Sequence, residues 1–333
     1  MTETTLEAVR ADAAASPGPM AAHSSLDEGA PGKPAEPGPA RMGPLGSRPF
    51  GILCLLVTAV GWGVNWPIMK VILHDWPPFF ARGTAGLAAA FGLALIAAAR
   101  REQLSISPGA WRPLASAAFS NVFVWMGFAT LSMVWLTVGE AALLVFTMPI
   151  WTTVFAWPLL GARPTLRSIA ALALGVAGIG MVLVGPGFAL GGGKLPGVLF
   201  ALGAAVLFAF STISSRSPIP MPPIALTAWQ VGLGCLPMVL IGLVFEWPNL
   251  GALHGLGWIG MAYMAIVPMA LCYLSWFAAL RRLPPSTAST SMLLVPVIGI
   301  LAASAVLGEP LGARESLALT CTLGGVGLAL KRS

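Results

Sequence analysis

The sequence predicts an all-α integral membrane protein: about ten transmembrane helices in two inverted five-helix repeats, preceded by a disordered N-terminal tail. Three observations carry that prediction. Of 333 residues, 57% are hydrophobic and only 9% charged, against roughly a quarter charged in an ordinary globular domain. Apolar runs of about 20 residues, the length that crosses ~30 Å of hydrocarbon, recur along the chain. The chain also matches itself at an offset of 145 to 147 residues.

Taken in order, residues 1–45 are rich in Ala, Pro, Gly and Ser and show no apolar period, so they read as a disordered cytoplasmic tail. The tail lacks the layout of a signal peptide, because the first apolar run starts near Phe50 and leads to Pro67 and Lys70 rather than to a small-residue cleavage site. The first five runs are approximately Phe50 to Ile72, Phe79 to Ala99, Trp111 to Leu131, Val138 to Leu160 and Ile169 to Val184. The next five are approximately Leu195 to Ser214, Ile224 to Phe245, Leu256 to Leu280, Ser286 to Leu307 and Ser316 to Leu330. The third and fourth runs meet at an ill-marked junction near Thr137. Connections this short leave no room for a soluble catalytic domain.

Charge sets the orientation. Of the 18 Lys and Arg, Arg10 and Lys33 lie in the distal tail; with the N-terminus inside, twelve of the rest face the cytoplasm and only Lys70, Arg82, Lys194 and Arg314 face out. By the positive-inside rule both termini are cytoplasmic, in the cell (plasma or inner) membrane. A net charge of +6 does not point to nucleic acid, because the basic residues fall singly or in pairs between apolar runs. The four cysteines, Cys54, Cys235, Cys272 and Cys321, sit isolated in apolar runs with no CxxC spacing. They read as packing residues, and no metal or cofactor is expected.

The self-match is carried by turn-forming residues. Gly51-Ile52-Leu53 meets Gly197-Val198-Leu199, Pro77-Pro78 meets Pro222-Pro223, Pro149 meets Pro296, and Leu160-Gly161 meets Leu307-Gly308. Two halves follow, residues 46–190 and 191–333. Each holds five runs, an odd number, so the second half enters the membrane from the opposite side. Inverted repeats of this kind are the architecture of secondary transporters, with the substrate near the midplane between the halves.

The stretch Trp62-Gly63-Val64-Asn65-Trp66 leading to Lys70, Arg82 at the head of the second helix, and the paired helix ends Pro149 to Gly161 and Pro296 to Glu309 resemble the EamA family. That family belongs to the ten-helix branch of the drug/metabolite transporter superfamily. The likeness covers about Phe50 to Lys331. The family commonly closes the paired ends with Gly-Glu-Arg; here they read Gly161-Ala162-Arg163 and Gly308-Glu309-Pro310, so each keeps part of the signature. The resemblance implies a transporter of small metabolites, among them amino acids and related compounds, and we read it as an exporter. A non-transporting sensor on the same fold stays open, as does a membrane-embedded enzyme. The enzyme would need a nucleophile, metal cluster or acid pair that the sequence does not offer.

Polar and aromatic groups inside the runs are the candidate substrate contacts, because each costs free energy in lipid unless satisfied. They are Asn65 and Trp66 in the first helix, Asn121 and Trp125 in the third, Thr147 and Trp151 in the fourth, and Tyr273 and Trp276 in the eighth. For Asn65 an interhelical hydrogen bond is the competing reading. Ser211 and Thr212 hold the place opposite Asn65 and Trp66 in the second half, and read as hydroxyls bonded back to their own helix. No carboxylate is evident at a helix centre. Glu140, two residues into the fourth run, is the nearest candidate for ion coupling, against a plain helix-terminal charge. Lys70 and Arg82 read as outer end markers that snorkel to headgroups, with attraction of an anion as the alternative. Small residues in the fifth and tenth runs, Ala171, Gly175, Gly178, Gly324 and Gly327, suit close packing within a protomer or in a homodimer.

Overall fold

The structure is a computed structural model that describes residues 48–161, 165–183, 193–214, 219–283, 287 and 291–330. The tail read as disordered lies outside the described residues, as do 284–286 and 288–290, where the ninth run is expected to begin. Among the described residues the regular structure is helical throughout. In chain order the helical runs are α1 (Arg48–Ile72), α2 (Pro78–Ala99), α3 (Pro108–Ser132), α4 (Val138–Leu160) and α5 (Leu166–Leu183). They continue as α6 (Leu195–Ser214), α7 (Pro223–Glu246), α8 (Gly255–Leu280), α9 (Leu294–Leu307) and α10 (Ala313–Leu330). Seven of them, α1 to α4 and α6 to α8, are long and apolar enough to cross a membrane, and α5, α9 and α10 contain shorter apolar stretches.

The outside of the bundle is apolar. Phe91, Leu166 and Leu256 are 68%, 84% and 80% exposed, a surface that water would not tolerate but lipid does. This is a multi-pass membrane protein.

Helix boundaries follow from local chemistry. Pro77 and Pro78 open α2 and Pro222 and Pro223 open α7, where a missing N–H costs nothing. Gly161 and Gly308 end α4 and α9 in the left-handed region, each at φ 67°, the conformation a helix C-cap favours. The ill-marked junction falls at Thr137, which caps α4: its hydroxyl accepts from the Glu140 N–H and the Glu140 carboxylate accepts from the Thr137 N–H. Arg101 after α2 and Trp247 after α7 share a left-handed backbone, φ 57° and 48°.

Carboxylates tie helix ends across the chain. Glu246, at the end of α7, accepts from the Phe79 and Phe80 N–H groups at the start of α2, at 3.1 and 2.9 Å. Glu102, just past α2, accepts from the Ala225 N–H at the start of α7, at 3.1 Å. The two helices therefore run antiparallel along one another. Glu309 likewise accepts from the Val138 and Gly139 N–H groups at the start of α4. Each carboxylate sits where the helix dipole favours an anion.

The remaining packing is intimate where glycine permits it. On α1 a Cβ at Gly61 would meet the Cys272 sulfur of α8 at 2.4 Å, and one at Gly63 would meet Ile298 of α9 at 2.7 Å. The helix is thus pressed between α8 and α9. The small residues of α5 and α10 are used inside the chain: a Cβ at Gly178 would strike Thr322, and one at Gly325 the Ala171 carbonyl.

Candidate functional site

A cavity of about 390 Å³ opens between α1, α2, α3, α4, α6, α7, α8 and α9. It forms where helices are interrupted. Residues Phe119–Phe128 of α3 and Val267–Leu271 of α8 are π-helical, a local widening common at functional sites. The chain of α4 breaks into a turn at Phe146 and Thr147 ahead of Pro149, and a turn at Met292 and Leu293 precedes α9 and Pro296. Phe146 and Met292, one from each turn, both line the cavity.

The wall from α1 is fixed by two cross-helix hydrogen bonds. The Trp62 indole donates to the Pro268 carbonyl at 2.9 Å, and the Tyr263 hydroxyl donates to the Gly61 carbonyl at 3.0 Å. Pro268 interrupts the α8 ladder, and its carbonyl gains the indole as partner. Trp62 then meets Tyr273 edge to face at 5.6 Å and tilts against Trp276 at 6.0 Å. A second aromatic group closes the other side, Trp125 lying 4.7 Å from Phe208 and 6.2 Å from Phe146, with Trp66 6.1 Å from Phe146. Methionines fill the gaps, Met69, Met126, Met133, Met148, Met269 and Met292; their flexible thioethers adapt to irregular shapes.

Among the sequence candidates, Asn65, Trp66, Asn121, Trp125, Tyr273 and Trp276 are brought together in this lining. Thr147 and Trp151 are not. The buried Thr147 hydroxyl donates to the Leu144 carbonyl and accepts from the Trp151 indole at 3.2 Å, so the pair closes on itself. The turn at Phe146 resets the helical phase and presents Phe146 to the cavity instead. Ser211 donates to Ser120 at 2.6 Å and Thr212 to the Phe208 carbonyl. Glu140 lies away from the cavity, in the cap of α4 and in an ion pair with Lys194 at 2.7 Å. That geometry gives it a structural part. Lys70 donates to the Met133 and Leu136 carbonyls just past the end of α3, where a cation satisfies carbonyls left over by the helix.

Three polar lining residues, Thr130, Gln230 and Arg82, escape the reading by sequence. Gln230 of α7 lies in mid-run and falls under the same rule that singles out Asn65 and Asn121. Arg82, expected to reach headgroups, is instead 7% exposed and lines the cavity. Its Nη1 lies 3.4 Å from the Asn65 Oδ1, and among the described residues its Nε has no hydrogen-bond partner.

The EamA-like transporter family model matches this chain twice, over residues 49–184 and 195–331. The "Uncharacterized transporter YvbV" of Bacillus subtilis (strain 168) is 28% identical over 78% of this chain and 84% of its own. The "Probable amino-acid metabolite efflux pump" of Salmonella typhimurium is 27% identical over 80% and 89%. A solved structure titled only "Crystal structure of protein" superposes with a TM-score of 0.60 at 19% identity, covering 85% of this chain and 97% of that one, which speaks for the fold alone. With both halves matched, nearly the whole helical body is accounted for, and the chain belongs to the EamA-like transporter family.

Proposed function

We propose that this protein is a secondary transporter exporting a small amphipathic metabolite, such as an amino acid or related compound, by alternating access. The observation that carries the reading is the aromatic-lined cavity placed at interruptions in helices of both halves. Discontinuous helices at a repeat interface are how transporters expose backbone and side chains to cargo within a membrane.

An inverted arrangement of ten spans is supported by the packing. Equivalent helices α2 and α7 pair antiparallel, α5 pairs with α10, and α1 against α9 is mirrored by α6 against α4. Both termini are taken as cytoplasmic, on the strength of the Lys and Arg distribution. The efflux-pump name of the Salmonella relative favours export of an amino-acid metabolite.

Reconstitution into liposomes tests this directly. Purified protein loaded with a panel of amino acids, their acylated and deaminated relatives, and amines is expected to move at least one solute down an imposed gradient. Asn65→Ala should lower that flux by roughly five- to tenfold, the equivalent of about 1 kcal/mol for one lost hydrogen bond, at unchanged abundance. Trp151→Ala, outside the cavity, should keep most of it. Ligand binding with no flux under any gradient would leave a sensor rather than a transporter.

A further inference from the structure

We infer that Arg82 forms an anion site inside the cavity, so that the preferred ligand is a small organic monoanion, a carboxylate with a flat or apolar tail, ahead of a zwitterion or an amine. This deepens the reading of the cavity as a substrate site and rests on it.

The inference stands on four observations. Arg82 lines the cavity while being almost fully buried. Among the described residues its one hydrogen bond is the 3.4 Å contact with the Asn65 Oδ1, which is longer than the usual N–H to O range. Among the described residues its buried Nε has no hydrogen-bond partner. Finally, Arg82 is the one charged side chain among the described lining residues, and among the described residues it makes no ion pair.

A guanidinium has five donors and keeps its charge under all ordinary conditions. Taken out of water without a counter-charge it is costly, and the usual solutions are a paired carboxylate or hydration. Among the described residues the protein supplies neither a carboxylate nor a full set of acceptors. The fork of an arginine matches a carboxylate in two parallel hydrogen bonds, which a lone ammonium does not offer. A monoanion therefore neutralises the cavity, whereas an amine adds a second positive charge to it.

The rest of the lining suits the other end of such a ligand. Trp62, Trp125, Phe146, Phe208 and Trp276 offer flat apolar faces. Asn121, Thr130 and Gln230 can bond a neutral amide or hydroxyl. An ammonium would find no carboxylate among the described lining residues, so acylation or removal of an amine improves the fit.

The test is a charge series on one tail: 3-phenylpropanoate, N-acetylphenylalanine, phenylalanine and phenethylamine. Binding to the full purified protein is read by quenching of its tryptophans. The two anions are expected to bind at least about tenfold more tightly than phenethylamine, the order expected for one charge-assisted hydrogen bond, with phenylalanine between. Arg82→Gln should weaken the anions by about the same factor and leave phenethylamine unchanged or tighter. Arg82→Lys should retain the preference for anions in reduced form. If Arg82→Gln does not fold, the wild-type series together with Arg82→Lys decides the matter. Equal binding of anion and amine by the wild type, or binding of none of the four, overturns the proposal. Anion-selective binding without flux in liposomes keeps the site and removes transport; flux with no selectivity for anions does the reverse.

Discussion

Replacing Gly63 by valine is expected to leave no correctly folded protein in the membrane fraction. Gly63 sits where α1 crosses α9, and a Cβ there would lie 2.7 Å from both Cβ and Cγ2 of Ile298 and 3.0 Å from the Val295 carbonyl oxygen. The Ile298 Cβ is set by its backbone and the carbonyl is backbone itself, so neither can swing away. Only separation of the two helices relieves the clash. The facing residue is also a glycine: a Cβ on Gly299 would approach the Gly63 carbonyl at 3.3 Å. Overpacking a close-fitted core costs about 1–3 kcal/mol for a modest excess, and the two further methyls of valine take the cost higher. Against a total stability of about 5–15 kcal/mol for a typical domain, that is decisive.

Gly63→Ala grades the effect, and Gly92 provides the control, since a Cβ there meets nothing within 4 Å. Gly92→Ala should hold or raise stability, by up to about 1 kcal/mol from helix propensity. Thermal unfolding and monodispersity of detergent-solubilised protein read all three variants. A midpoint for Gly63→Ala at or above that of the wild type would show that α1 and α9 are not in close contact. The same crossing carries Trp66 and Val295 to the cavity, so a variant that survives with the helices apart should also bind ligand more weakly.

The density of aromatic and amide groups in Gly61 to Lys70 is visible in the sequence because polar groups stand out in an apolar run, and the structure puts Trp62, Asn65 and Trp66 in one wall. The proline and glycine matches between halves are equally visible, since such residues mark helix ends through local geometry alone. Arg82 was hidden for a different reason. Four residues from the start of its helix it looks like an end marker, yet depth is set by neighbouring helices, and α3, α7 and α8 pack against α2. Phe146 was hidden by a break in α4: counting on a continuous helix selects Thr147 and Trp151, and one turn of irregular backbone shifts the phase to Phe146.

The carboxylates at helix ends were hidden because their partners are far away in the chain. In the sequence Glu102, Glu246 and Glu309 show only as carboxylates near helix ends, whereas each accepts from backbone N–H of a helix at least 123 residues away. Nothing in a linear pattern encodes such a pairing. What the sequence does contain is the demand for it: Pro77 and Pro78, like Pro222 and Pro223, remove donors from the first turn and leave the next N–H groups to be met.

That demand leads to the second large effect: Glu246→Ala combined with Glu102→Ala is expected to lower stability by about 3 kcal/mol, with about 2 from Glu246 and about 1 from Glu102. Glu246 satisfies two N–H groups, of Phe79 and Phe80, and Glu102 satisfies that of Ala225. The larger share therefore belongs to the start of α2. The two ties lie at opposite ends of the α2 and α7 pair and share no partner, so their costs should add. Glu246→Gln keeps the shape and one acceptor oxygen but loses the attraction of charge for the helix dipole, and should fall between wild type and alanine. Thermal unfolding of the singles, the double and the glutamine variant measures each step. Neither carboxylate lines the cavity, hence flux per folded molecule should hold in both single variants even as the unfolding midpoint drops. A Glu246→Ala protein as stable as the wild type would mean that lipid headgroups or water satisfy the α2 donors equally well. In that case the α2 end of the antiparallel pair is held by its side-chain packing, without the Glu246 tie.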